Sequence, residues 1–330
     1  MLVLFYPLVL FVCILVAFFS FLFRHYRISL FFSLLACLLN IWCECFPIRL
    51  FSKGEENVSR TIKVLLFNVN STQELFEKQA PLIARYLIDE DADVLFIPEL
   101  LYQGAKFLLP LLNEKYPYSP SRNRRGVMLY SEIFLSKWPM SQCEKIDVDK
   151  QLIKEVFGID EDSIINTYTK HSKIYKTSVD MDGRIVSFIG SHLIGNNYYS
   201  NTQSYSLDSI NSLNYLCSYL KNVHESYRFR AMQADAICKE INNISSPLIV
   251  MGDMNDIGGS YTIRTLESKG LEDAWWKGGF GYGSTFRQSF LNLRLDHILY
   301  SPNSLKLLNV KTIDTGLSDH KCLVAEFELK

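Results

Sequence analysis

The stretch Leu248-Ile249-Val250-Met251-Gly252-Asp253-Met254-Asn255-Asp256 decides how the rest of the chain is read. Four apolar residues follow Pro247 without a polar interruption, the pattern of a short strand buried on both faces. Gly252 is expected to end that strand where the backbone turns tightly. In an extended segment, positions 253 and 255 project to the same side, so a carboxylate and an amide converge on one small volume. Such a pair suits holding a water molecule or a divalent cation beside a scissile ester. The plainer alternative is that Asp253 or Asn255 caps the helix that follows.

Working outward, other strands end in the same manner. Thr61 to Val69 is β-branched and apolar and ends on Asn68-Val69-Asn70, and Asp93 to Ile97 ends on Pro98-Glu99. Between them, Gln73 to Asp89 has helical periodicity, and a second helix is expected from Tyr102 to about Glu114. His171 to Asp180 and Arg184 to His192 flank Asp182-Gly183, a strong hairpin signal because the turn needs positive φ. The second of these strands delivers His192, although a lone histidine is more often structural. Further strands are expected at Arg294–Tyr300, bearing Asp296, at Leu305–Thr312 and at Cys322–Leu329, the last preceded by Ser318-Asp319-His320. The cluster Arg122, Arg124 and Arg125 is either a solvated turn or a phosphate-capturing loop, since guanidinium pairs bidentately with phosphate. Gly278 to Gly283 is rich in glycine but lacks the strand-then-helix context of a dinucleotide-binding turn.

The first fifty residues differ in kind. Met1 to Phe23 carries no charge and as a helix would measure about 34 Å, enough for a bilayer core. Arg24 and Arg27 interrupt the apolar run, and Ile28 to Cys43 resumes it, extending to about residue 48 if Glu44 lies among headgroups. The expectation is a transmembrane hairpin over 1–51, with spans at about 1–23 and 28–48, a polar linker at 52–59, and a single domain over 60–330. The cations in the hairpin turn place that turn in the cytoplasm and the domain outside it, in the cell inner membrane, although Arg49, Lys53, Arg60 and Lys63 pull the other way. The eight cysteines show no C-x-x-C spacing and read as free thiols. Beyond residue 53, 30 basic residues stand against 34 acidic ones, so no broad basic face for duplex DNA is expected.

The segments N-x-N, P-E-L, S-H-L, G-D-M-N-D, R-L-D-H and S-D-H, taken in this order, resemble the endonuclease/exonuclease/phosphatase superfamily. That group includes DNase I-type nucleases, apurinic endonucleases, neutral sphingomyelinases and inositol-polyphosphate 5-phosphatases, and the chain looks most like its bacterial membrane-attached members. The resemblance covers about residues 60 to 330. It implies an α+β fold: a four-layer α/β/β/α sandwich, here preceded by two transmembrane helices. It also implies a phosphoester hydrolase acting on nucleic acid, phospholipid or a phosphorylated small molecule. By similarity Glu99, Asn68 and Asp319 would hold Mg2+ or Mn2+, Asp253 would activate water, and Asn255 and His192 would contact the phosphate. Asp296 would orient His320, and the proton for the leaving group would come from His320 or Asp253. Pro98 and His297 depart from the residues frequent at those places in the family. The competing class is a noncatalytic membrane adaptor that keeps the sandwich as a binding module.

Overall fold

The computed structural model describes residues 6–44, 46–47, 60–72, 76–120, 131–158, 173–196, 213–287 and 292–330. The linker 52–59 and the arginines 122, 124 and 125 lie outside the described residues.

Two mixed sheets form the centre. In the first, β1 (Thr61–Leu66) runs parallel to β2 (Val94–Ile97) and antiparallel to β11 (Cys322–Leu329), with β3 (Ile133–Ser136) and β10 (Leu305–Ile313) at its edges. The second has the order β4 (Glu144–Lys145), β5 (Lys173–Met181), β6 (Arg184–His192), β7 (Leu248–Asp253), β9 (Asp296–Tyr300), β8 (Glu272–Asp273). The Asp182-Gly183 hairpin joins β5 and β6 as its turn chemistry predicts, with Asp182 at φ 55 and Gly183 at φ 84.

Facing side chains of the two sheets make one core: Val64, Leu66, Phe96 and Phe134 from the first meet Val186, Phe188, Ile249 and Met251 from the second. The outer face of the first sheet buries Leu65, Leu95 and Val324 under α3 (Phe76–Glu90) and α4 (Tyr102–Leu112). The outer face of the second buries Ile189, Val250 and Leu299 under α5 (Lys150–Phe157), α6 (Leu213–Ile241) and α7 (Tyr261–Glu267). Helices therefore cover both outer faces, and the four-layer α/β/β/α sandwich is the observed fold.

Gly252 departs from its expected role. β7 continues through it to Asp253, and a Cβ at Gly252 would lie 1.8 Å from the Ser191 carbonyl oxygen. The glycine is there so that β7 can lie close beside β6, with no turn at that position.

The amino-terminal residues form two antiparallel helices, α1 (Tyr6–Leu22) and α2 (Tyr26–Cys43). At 17 and 18 residues they measure about 26 and 27 Å. Among the described residues no helix is long and apolar enough to cross a membrane, so the two expected transmembrane spans are not supported. Glu44, in the left-handed region at φ 50, ends α2. Its carboxylate turns to Arg264 at 3.2 Å, while the Arg264 guanidinium also donates to the Trp42 carbonyl at 2.6 Å. The hairpin is thus seated by its base on α7 of the sandwich.

Candidate active site

Strand register brings the polar tips together. His192 pairs across the parallel ladder with Asp253, and Asp253 pairs antiparallel with Asp296, so three adjacent strands present a histidine and two carboxylates in one row. From the opposing sheet, Asn68 follows β1, Glu99 follows β2, and His320 precedes β11. Each is at the same end of the sandwich, because β1 and β2 run parallel and β11 antiparallel to them.

Glu99 and Asn255 sit at φ 57 and φ 49, a left-handed region that costs most L-residues, Glu among them, and that the short side chain of Asn tolerates better. Local bonds hold both conformations. The Glu99 carbonyl accepts from Ser71 N and Oγ at 3.1 and 2.6 Å. The Asn255 backbone N–H donates to Asp253 Oδ1 at 2.9 Å, and its side-chain amide donates to the Leu193 carbonyl at 2.8 Å. Asp253 and Asn255 therefore do not point the same way: the chain is extended only as far as Asp253, then turns, and the Asn255 amide ties the turn to the end of β6.

At the centre, Asn68 Nδ2 donates to Glu99 Oε1 at 2.9 Å and to Asp253 Oδ2 at 3.1 Å. Its Oδ1 accepts from Asn70 N at 3.1 Å, so offering that oxygen to a cation would require the amide to turn over. His192 Nε2 lies 3.4 Å from Glu99 and 4.0 Å from Asp253, and its Nδ1 lies 3.4 Å from Glu132. His320 Nδ1 is 2.7 Å from Asp296 Oδ2, which leaves Nε2 facing the centre at 3.7 Å from Asp253. Phe286 packs against the His320 ring with centroids 5.0 Å apart.

Charge follows from these neighbours. Burial alone would lower the pKa of His320, but the carboxylates of Asp296 and Asp253 outweigh it and push it up to about 10. Burial opposes protonation of His192 too, and Glu132, Asp253 and Glu99 overcome it, raising its pKa. Asp253 moves upward in turn: burial and the nearby Asp296 charge raise it against the pull of both histidines. The result is a buried Asp253 carboxyl group between two histidines, with the pKa of all three raised by their neighbours or by burial.

Glu132, together with Lys173 and Asn70, was not singled out from the sequence. Glu132 is buried, and Lys173 Nζ is 2.9 Å from its Oε1. Burial raises its pKa, but His192 and Lys173 reverse that and hold it low. A signal existed: Ser131-Glu132 stands at the mouth of an apolar run antiparallel to β2, which puts this acid at the same sheet end as Glu99. Asn70 Nδ2 binds both oxygens of Asp319 at 3.2 and 3.1 Å.

Two groups of side chains have ligand atoms within 4.8 Å of one another among the described residues: Glu99, His192 and Asp253, and Asp253, Asp296 and His320. Asp319 belongs to neither, its carboxylate being turned to Asn70. The donor set is dominated by carboxylate oxygen, which fits a hard divalent cation. The partly exposed Glu99 is the carboxylate best placed to take one, since Asp296 is already committed to His320.

No curated protein matches the chain. Among solved structures, an endonuclease/exonuclease/phosphatase from Bacteroides vulgatus is similar at a TM-score of 0.57 and 16% identity, covering 82% of this chain and 100% of that one. A humanized D. rerio TDP2 is similar at 0.56 and 15%, covering 81% and 98%, and beta toxin from Staphylococcus aureus at 0.53 and 18%, covering 80% and 99%. At such identities these likenesses speak for the fold alone, and it is the fold derived above. The model of the Endonuclease/Exonuclease/phosphatase family matches residues 65–320, and with the strand-end site at its centre the chain belongs to that family.

Proposed function

We propose that residues 60–330 form a divalent-metal-dependent phosphoester hydrolase domain in which Asp253 activates water and His320 serves the leaving oxygen. The observation that carries this reading is the buried Asp253 carboxylate set 3.7 Å from His320 Nε2 and 4.0 Å from His192 Nε2. Hydrolysis needs a base for water, positive charge for the oxygens of the phosphoryl group, and a proton for the departing oxygen. Asp253 Oδ2 accepts the water proton as the water oxygen bonds to phosphorus. His320, its Nδ1 held by Asp296, gives a proton from Nε2 to the departing oxygen as the phosphorus–oxygen bond breaks. His192, oriented by Glu132, donates to a non-bridging oxygen. Mg2+, held by Glu99 with Asn68 and Asp319 at the margin, would supply further charge neutralisation at those oxygens.

The test is turnover by the full-length chain on DNA, RNA, phosphoinositides and sphingomyelin, with and without chelator. Asp253→Ala and His320→Ala are each expected to lower chelator-sensitive turnover by about 10²- to 10⁴-fold. Full turnover in both variants would sink the reading and favour the adaptor class.

The same proposal includes attachment to a membrane, the cell inner membrane, with the domain on its extracytoplasmic side. Supporting it is the apolar surface of the hairpin, where Phe11, Phe18, Phe23, Leu30, Leu38 and Trp42 are all more than half exposed. Flotation of the full chain with liposomes tests the attachment, and a reporter fused after residue 55 tests the side.

A further inference from the structure

Behind the turn that carries Asp253 lies a buried cluster of charged and polar groups that takes no part in the chemistry above. His297, opposite Gly252 in the β7–β9 ladder, is fully buried. Its Nε2 is 3.0 Å from the Asp256 carbonyl oxygen. A carbonyl only accepts, so Nε2 carries the hydrogen and donates it. On the other side of the ring, Nδ1 lies 2.7 Å from Asp273 Oδ2, and the same carboxylate oxygen takes Arg294 Nη1 at 2.8 Å. Asp273 is itself fixed, because its Oδ1 accepts from Trp276 N at 2.9 Å at the start of α8 (Ala274–Gly278). Asp273 and Arg294 are no more than 2% exposed.

We propose that His297 is a positioning residue for the hydrolase reaction. Its Nε2–H clamps the Asp256 carbonyl and so holds the left-handed turn at Asn255, which aims Asp253 between the two histidines. The proposal rests on the hydrolase reading of the site. Three further bonds define what the clamp completes: Met254 N donates to the Leu295 carbonyl at 2.9 Å, Asn255 Nδ2 to Leu193, and Thr262 Oγ1 to Asp256 Oδ2 at 2.9 Å. These hold the turn at Met254, Asn255 and the Asp256 side chain. Only His297 grips the main-chain carbonyl at its far end among the described bonds. A turn with a residue at positive φ relaxes when one of its ends is released, and a displacement of about 1 Å at a catalytic base is enough to cost turnover about 10²-fold. Asp273 and Arg294 keep the imidazole in its plane, as the partner of a histidine does wherever tautomer and orientation matter.

The experiment compares His297→Met, which keeps bulk and loses the donor, with His297→Gln, which restores an N–H near the Nε2 position. Both are made in the full-length chain. For His297→Met, kcat falls at least tenfold while KM stays within twofold. Amide hydrogen exchange at residues 254–257 quickens, with β1 and β11 unchanged. His297→Gln recovers most of both readouts. A His297→Met protein with wild-type kcat overturns the proposal. So does one whose loss of turnover merely follows the fraction folded, with exchange raised throughout the chain. If the methionine variant does not fold, the glutamine variant decides alone: folded but inactive protein overturns the proposal, and folded, active protein with unchanged exchange at 254–257 supports it. An inactive wild type on every phosphoester would remove the hydrolase reading first and this inference with it, a result distinct from an active wild type indifferent to His297.

Discussion

At the scale of single residues, the site works through opposed shifts. Desolvation drives both histidines and Asp253 toward neutrality, and the carboxylates around the histidines win because they lie within 4 Å. His320 is the clearest case. Its folded pKa of about 10 stands above the ordinary 6.5, so the stability it contributes is complete below pH 6.5 and is lost as pH rises through about 10. The same sign governs the rate: the imidazolium survives neutral pH, and the basic limb of kcat/KM belongs near pH 10. Asp296→Asn removes the nearest charge that raises it. The basic limb is then expected to move down by at least a full pH unit, toward ordinary histidine values. A pH–rate profile of the variant checks this, and an unmoved limb would show that His320 is not the titrating group. The Asp296–His320 partnership comes from the family resemblance, and the structure shows it as a 2.7 Å contact between Nδ1 and Oδ2; strand ends alone place the two residues without pairing them. The residue pattern did not make the Asn255 geometry legible, since alternation along an extended chain says nothing once φ becomes positive.

Among the elements, strands were far easier to read than what lies between them. β6 and β11 are expected with their observed bounds, and β1, β2, β7, β9 and β10 to within a few residues, because an uninterrupted apolar run has few other places to go. The segment from 141 to 158 is charged and holds no such apolar run; it forms the two-residue β4 and the amphipathic α5, in which Ile153 is the buried residue. Residues 213–241 form one helix, since no Gly or Pro interrupts them. Gly252 shows what periodicity leaves out. Its requirement comes from the neighbouring strand, with the Ser191 carbonyl 1.8 Å from where a Cβ would sit. Gly252→Ala must therefore push β7 off β6, and backbone cannot yield as a side-chain tip would. Overpacking of this kind costs about 1–3 kcal/mol or more. Urea unfolding is expected to show at least that loss, together with lowered turnover, because the displaced strand carries Asp253. A variant as stable and active as the parent would mean that the two strands have slack that their register conceals.

For the whole molecule, the question is what the hairpin does for the sandwich. Among the described residues, the three central cores contain none from α1 or α2, and the hairpin's own small core of Leu10, Cys13 and Ala36 meets the sandwich at Tyr282. Its seat is polar and local. Glu44 and the Trp42 carbonyl bind Arg264, Gly281 N donates to the Pro47 carbonyl at 3.2 Å, and Phe46 lies 5.4 Å from Tyr282 between ring centroids. Bonds of this kind contribute about 0.5–1.5 kcal/mol each, so removing residues 1–47 should lower the thermal midpoint by several degrees without unfolding the sandwich. Two further readouts then separate the hairpin's roles. Flotation with liposomes is expected to vanish on truncation, because the exposed phenylalanines and leucines go with the helices. Turnover on a short soluble phosphodiester is expected to stay within a fewfold of the full chain, because no catalytic group leaves. The base of the hairpin nonetheless stands close to the machinery: Arg294 Nη2 reaches the Glu44 carbonyl at 3.4 Å, and the loop that carries Tyr282 also carries Phe286, packed on His320. A truncated chain that floats as before would refute the proposed membrane attachment. One that is folded and soluble yet inactive on the soluble substrate would show that the seat helps to set the site, and that the hairpin is a working part of the enzyme rather than a tether.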